Sequence, residues 1–293
     1  MADKQIPSID ALIENSRTRG YVMDRSLATA IYLLVQLGKP LLIEGHAGVG
    51  KTEAAKVLAS ILGTELIRLQ CYEGLDVNSA VYEWNYQKQL LAIKLQEGRN
   101  RELRDLEAHI FGPDFLLQRP LLKSISGEEK SPVLLVDEID RADEAFEAFL
   151  LEVLGEFQIS IPELGTIKAA KPPYVILTSN GARELSDALK RRCLYHWIDY
   201  PSFEKEMDIV HARLPGIGTE LGAQVVSFLH SLRKMSLSKI PGVAETLDLS
   251  TALMLLEKNL DTETAERTIG CVIKSADDLT RVREEGLDKL LAS

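Results

Sequence analysis

The octapeptide GHAGVGKT, residues 45–52, leaves few architectures open to this chain. Glycines at 45, 48 and 50 close a short loop, and Lys51 and Thr52 follow at once. The apolar run KPLLIE leads in, and EAAKVLASILG, apolar at helical spacing, leads out. The pattern G-x-x-x-x-G-K-[ST] is met by Gly45, Gly50, Lys51 and Thr52, between a strand and a helix as that pattern requires. Glycine removes the Cβ that would keep backbone N–H groups from curling around an anion. A helix that starts at the loop adds partial positive charge. The stretch therefore predicts a phosphate cradle built from Gly45, His46, Ala47, Gly48, Val49, Gly50, Lys51 and Thr52. Lys51 would reach the β- and γ-phosphates of ATP, and Thr52 would hold Mg²⁺.

The segments around the loop alternate in type. DRSLATAIYLLVQL (24–37) has helical spacing with Asp24 as its cap, and the helix after the loop stops at Gly63. PLLIEG, ELIRLQC, SPVLLVDEID, PPYVILTSNG and YHWIDYP are short strand candidates without polar alternation. Buried strands that alternate with helices indicate an α/β fold, a parallel sheet covered on both faces. From Pro201 onward only helical patterns appear. The predicted division is an α/β nucleotide-binding domain over 1–200 and a small all-α lid domain over 201–293.

Two further motifs follow the loop in chain order. In VLLVDEID (133–140), Asp137 ends a strand, where it can hold Mg²⁺ through water. Glu138 beside it can polarise an attacking water. In ILTSNG, Asn180 ends the next strand, at the edge where ligands gather in open α/β sheets, and can orient that water. In ELSDALKRRC, Arg191 and Arg192 lie past this strand, where an arginine can reach the γ-phosphate of a neighbouring subunit. The two stay open as alternatives on sequence order alone.

Composition narrows the partners. The chain has 293 residues, 45 % apolar and 27 % charged, with a formal net charge of −10. Such an acidic balance argues against non-specific nucleic-acid binding, which needs a basic face. No apolar run is long enough to span a bilayer, and MADKQIPSID lacks the plan of a signal peptide. Cys71, Cys193 and Cys271 are odd in number, far apart and without a CxxC pair. They read as reduced packing residues of a cytoplasmic protein. His109, His196, His211 and His230 have no metal-ligand spacing, and EGRNRELRDLE (97–107) reads as a solvated helix face.

The loop at 45–52, LLVDEID, LTSN and LSDALKRRC, in this order, resemble an AAA+ ATPase. Within that group the lead-in GYVMDRSLATAIYLLVQLGKPLLIEGHAGVGKT is similar to the MoxR family. The stretches QCYEGLDVNSAVYEWNYQKQLLAIK and GVAETLDLSTAL resemble its CoxD-like branch, linked to maturation of the molybdenum–copper CO dehydrogenase. The resemblance spans roughly residues 20–290. It implies a homo-oligomeric ring, usually a hexamer, with ATP at subunit interfaces. It also implies a von Willebrand A domain partner and a metalloenzyme client. Aligned with the family's usual stretch, LSDALKRRC puts Arg192 at the trans-acting finger position. One departure stands out: where the family carries a lid arginine, this chain reads TLDLS (246–250), with Asp248 nearest the arginine's place. Two inserts fit the family. Residues 75–95 are expected as a helical insert toward the ring axis, carrying Tyr82, Trp84 and Tyr86, with Trp84 the exposed one. Residues 157–173 are expected as a β-hairpin, on the alternation in QISI and the PELG turn.

Overall fold

The computed structural model describes residues 6–96, 109–127 and 129–292. Residues 97–107, read above as a solvated helix face, lie outside the described residues.

Helices α1 (Ile9–Arg17) and α2 (Arg25–Leu37) precede β1 (Leu41–Gly45), and α3 (Lys51–Leu62) leads to β2 (Leu66–Gln70). Asp24 caps α2, its Oδ1 accepting the Leu27 N–H at 2.8 Å. After α4 (Val77–Val81), β3 (Tyr82–Trp84), α5 (Tyr86–Gln96), β4 (Leu116–Gln118) and α6 (Pro120–Ser126), the chain returns to the sheet as β5 (Val133–Asp137). Helix α7 (Glu144–Glu156) and the hairpin β6 (Gln158–Ile161) and β7 (Gly165–Lys168) come next. Then follow β8 (Tyr174–Ser179), α8 (Asp187–Arg192) and β9 (Leu194–Ile198). The five-stranded parallel sheet has the order β2-β5-β8-β1-β9 and is flanked by helices. Its centre is apolar for a physical reason: every residue of β5 is buried, so alternation with polar residues would place uncompensated polarity in the core. The register sets Gln70 opposite Asp137 and Leu135 opposite Ile176.

From Phe203 on the described chain is helical: α9 (Phe203–Arg213), α10 (Thr219–Arg233), α11 (Val243–Leu256), α12 (Thr262–Thr268), α13 (Ala276–Glu285) and α14 (Leu287–Leu291). No helix of the described residues is long and apolar enough to cross a membrane.

By packing, the chain divides into two compact units. The first is built mainly from Ala30–Ile43 and Leu58–His196, the second from Gln5–Thr29, Glu44–Val57 and Trp197–Ser293. In the first, Leu42, Val136, Phe146, Leu150 and Leu177 form part of one apolar core. In the second, Val225, Phe228, Leu229, Leu249 and Leu253 join the helices around another.

The insert at 75–95 differs from the helical expectation. It is a short helix, a three-residue strand and a second helix, with β3 paired antiparallel to β4. The two-residue spacing of the aromatics is the cause. In an extended segment it puts Tyr82 and Trp84 on one side, their rings 6.1 Å apart, and Glu83 on the other, paired with Arg119. Trp84 is not the exposed ring. It is 7 % exposed and packs edge-on against Phe111 at 5.4 Å. Tyr86, which opens α5, is the exposed aromatic at 63 %. The hairpin β6–β7 lies inside residues 157–173, with Ile159 opposite Ile167.

Candidate functional site

The phosphate loop belongs to the second unit. Gly48 and Gly50 take φ of 74° and 92°, a region that residues with a Cβ rarely adopt. Lys51 opens α3 and is only 6 % exposed. Its Nζ donates to the carbonyls of Gly45, at 2.8 Å, and His46, at 2.5 Å. The lysine is thereby held at the centre of its own loop, at a helix N-terminus. The His46 ring stacks on Tyr200, with centroids 4.5 Å apart, so that residue offers the loop its backbone.

Two other elements of this unit close on the loop. The Tyr21 hydroxyl donates to the Gly50 carbonyl at 3.3 Å, and burial, with Asp24 and Glu53 adding to it, pushes the phenol pKa up. The start of α11 meets the loop from the lid: Val243 N–H donates to the Gly48 carbonyl at 3.1 Å. Between them lies a cavity of about 200 Å³, walled by Tyr21, Val22, Leu27, Val243 and Leu247 and reaching Gly48–Gly50. An apolar slot opening on a phosphate loop suits a nucleotide base. A second cavity of about 480 Å³ borders His46–Gly48 and is lined from the lid by Lys239, Lys274 and Glu245. At the TLDLS stretch, Asp248 is exposed, while Thr246 donates to the buried Glu206. Glu206 also takes a two-pronged ion pair from Arg233, with bonds of 2.5 and 2.7 Å.

The acidic residues belong to the first unit. Asp137 ends β5 with its side chain 4 % exposed. Its Oδ1 accepts the Thr178 hydroxyl at 2.5 Å, and Thr178 Oγ1 accepts the Glu138 N–H at 2.9 Å. One hydroxyl thus ties both acids to the neighbouring strand. Glu138 is held in the left-handed region, φ 55° and ψ 49°, a strain of about 1–3 kcal/mol that persists only where its surroundings impose it. It borders a cavity of about 570 Å³ together with Tyr72, Glu73, Asp140, Arg141 and Arg183. Asn180 follows β8 directly and is half-buried. Arg192 ends α8 and is exposed, with its Nη1 donating to the Leu151 carbonyl of α7. Arg191 is also exposed.

Sequence reasoning passed over four contributors. Thr178 stood inside ILTSNG, two residues before Asn180. Arg68 is the basic residue in ELIRLQC, and its Nε and Nη2 donate to Asp137 Oδ2 at 3.0 and 2.6 Å. A charge at the middle of a five-residue strand was the signal. Tyr21 and the Gly242–Val243 turn carried no local signal, because only folding brings them to the loop.

Mg²⁺ takes oxygen ligands, keeps several waters and needs only one or two protein donors beside phosphate. The Asp137 carboxylate and the Thr52 hydroxyl are donors of that kind. Among the described residues no group of three or more metal-capable side chains offers a different centre. Each of the two donors, taken by itself, suits the ion by its chemistry.

The sequence profile of the AAA domain, dynein-related subfamily, matches residues 40–193, more than half of the chain. An uncharacterized protein of Staphylococcus haemolyticus is 25 % identical over 219 residues, 73 % of this chain and 75 % of that protein. One from Staphylococcus aureus strain USA300 is 25 % identical over 209 residues, 69 % and 72 % of the two chains. Among solved structures, a putative ATPase from Cytophaga hutchinsonii is 14 % identical with a TM-score of 0.48, covering 99 % of this chain and 96 % of its own. The Thermotoga maritima RuvB Holliday junction branch migration motor is 17 % identical with a TM-score of 0.47, covering 92 % and 73 %.

Proposed function

The chain belongs to the dynein-related subfamily of AAA domains, and we propose that it is an ATP hydrolase and remodelling chaperone of the MoxR type. It works as a homo-oligomeric, usually hexameric, ring in the cytoplasm. Its client is a metalloenzyme of the CO dehydrogenase kind, whose maturation or metal insertion it assists together with a von Willebrand A domain partner. The resemblance of residues 70–95 and 242–253 to the CoxD-like branch supports the choice of client.

The observation that carries the hydrolase reading is Lys51. A buried ammonium at the N-terminus of a helix sets one positive charge beside another, an arrangement that favours an anion between them. In this reading Lys51 and the loop N–H groups of Gly45–Thr52 hold the β- and γ-phosphates, and the slot beside Tyr21 takes the base. Thr52 and Asp137 would hold Mg²⁺, which neutralises charge on the phosphates when bound. Glu138 polarises the attacking water and Asn180 orients it. Thr178 fixes the Asp137 carboxylate and the Glu138 backbone, so both residues are anchored before substrate arrives. Arg192 acts in trans on a neighbour's nucleotide, an effect worth about 10³–10⁵ in rate for such fingers; Arg191 is the alternative. Lys239 and Lys274 line the cavity beside His46–Gly48 and, in this reading, take the place of the missing lid arginine.

The test separates binding from turnover. Lys51→Ala should lose binding of a fluorescent ATP analogue. Glu138→Gln should keep it while hydrolysis falls about 10²–10⁴-fold. Hydrolysis at the parent rate in Glu138→Gln sinks the assignment of the base. In mixed rings, Lys51→Ala subunits should restore activity to Arg192→Ala subunits; rescue of Arg191→Ala instead would move the finger by one residue.

A further inference from the structure

We propose that Arg68 is an exchangeable counter-ion of Asp137: it positions the carboxylate in the metal-free chain and competes with the divalent cation for it. The inference rests on the reading of Asp137 as a Mg²⁺ holder.

A carboxylate oxygen offers about two acceptor positions. On Asp137 Oδ2, both are met by one guanidinium, through Nε at 3.0 Å and Nη2 at 2.6 Å. The other oxygen is engaged by Thr178 at 2.5 Å. Arg68 reaches Asp137 diagonally across the β2–β5 ladder, from a position opposite Leu135, and its Nη2 also donates to Gln70, which stands opposite Asp137. The partners differ in freedom. Asp137 is 4 % exposed and anchored at a strand end, whereas the Arg68 side chain is 51 % exposed. The carboxylate cannot leave, but the arginine can swing into water, where a guanidinium loses little.

A doubly charged ion and its waters drawing on Oδ2 would meet the guanidinium already bound there, and a fixed positive charge beside them would repel the ion. Loading therefore displaces the arginine. Its second task follows from burial: a negative charge at this depth is costly, and the guanidinium offsets part of it until the metal arrives. Its bidentate grip keeps the oxygen aimed meanwhile.

The competition has a signature that a purely structural ion pair lacks. The full chain, Arg68→Gln, Arg68→Lys and Asp137→Asn are titrated with MgCl₂ in the presence of a fluorescent ATP analogue, and each is melted in EDTA and in Mg²⁺ plus ATP. Arg68→Gln should half-saturate at about tenfold lower Mg²⁺, a gain of ~1.4 kcal/mol. Arg68→Lys, which keeps the charge without the fork, should shift less. Arg68→Gln should lose melting temperature in EDTA and regain most of it with Mg²⁺ and ATP. An unchanged or higher Mg²⁺ requirement in Arg68→Gln overturns the proposal, as does an equal melting loss under both conditions. If Arg68→Gln does not fold, an Arg68→Lys titration that matches the parent overturns it. Absence of Mg²⁺-dependent binding in the unsubstituted chain removes the functional reading and this inference together; an Mg²⁺-dependent parent with an unshifted variant removes the inference alone.

Discussion

Gly242→Ala tests whether the start of α11 shapes the nucleotide site. Gly242 has φ −92°, a conformation open to any residue, so alanine brings no backbone penalty. The cost is contact. A Cβ built there lies 2.8 Å from the Ala47 carbonyl oxygen, 2.9 Å from Gly48 Cα and 3.1 Å from Gly48 C. Ordinary contact begins at 3.4 Å, so the helix start must retreat by at least 3.4 − 2.8 = 0.6 Å from the phosphate loop. All three neighbours are backbone, which cannot rotate away. Overpacking of this kind costs about 1–3 kcal/mol. The retreat also strains the 3.1 Å bond from Val243 N–H to Gly48, with about 0.5–1.5 kcal/mol at stake. A total near 2–3 kcal/mol should lower the melting temperature by roughly 4–8 °C in a chain of this size. Because Val243 and Leu247 wall the cavity proposed to take the base, affinity for a fluorescent ATP analogue should fall about tenfold, the equivalent of ~1.4 kcal/mol. Gly270→Ala is the control: nothing lies within 4 Å of its Cβ, so melting and affinity should match the parent. If Gly242→Ala melts lower yet binds nucleotide as the parent does, the lid start is only structural. If neither quantity moves, the steric argument is wrong.

Two further outcomes follow from packing and charge. Trp84→Ala should destabilise the first unit by about 3–5 kcal/mol, read by denaturant titration, because the ring is buried against Tyr82 and Phe111; Tyr86→Ala, exposed, should melt like the parent, and the reverse ranking would refute the placement. Burial works to raise the Asp24 pKa, but the Leu27 N–H, Lys205 and Ser26 outweigh it and hold the carboxyl at about 2, against 3.8 unfolded. The folded value is the lower one, so this stability is full above the unfolded pKa and is lost as pH falls from about 4 towards 2. Asp24→Asn should flatten that part of the acid-melting curve, and an unchanged acid limb would count against the pairing.

How much of this was legible in the chain depends on the distance over which each feature is decided. Strands β5 and β8 could be read directly, because a strand buried on both faces must be apolar throughout. The positions of Lys51, Asp137, Glu138 and Asn180 at strand or helix ends were legible for the same local reason. The insert was not. Three residues of strand carry barely one period, and β3 exists only because β4, more than thirty residues on, supplies its partner. Hence Trp84, which a helix would leave free to face outward, is turned inward by pairing.

The same distinction separates the motif residues from those that set their chemistry. Thr178 and Arg68 reach Asp137 from strands 41 and 69 residues away, through a register that no local pattern encodes. A motif names the acid; the neighbouring strands decide what each of its oxygens is tied to, and to what charge. The useful signal was therefore a polar residue on each adjoining strand: an arginine on the exposed side of ELIRLQC, and a threonine in VILTS, polar where burial disfavours it. The buried threonine is tolerated because Asp137 lies within reach, and both residues help to make the carboxylate tolerable at that depth. A buried acid at a strand end thus predicts polar partners on the adjoining strands, and the register then says which of them can reach it.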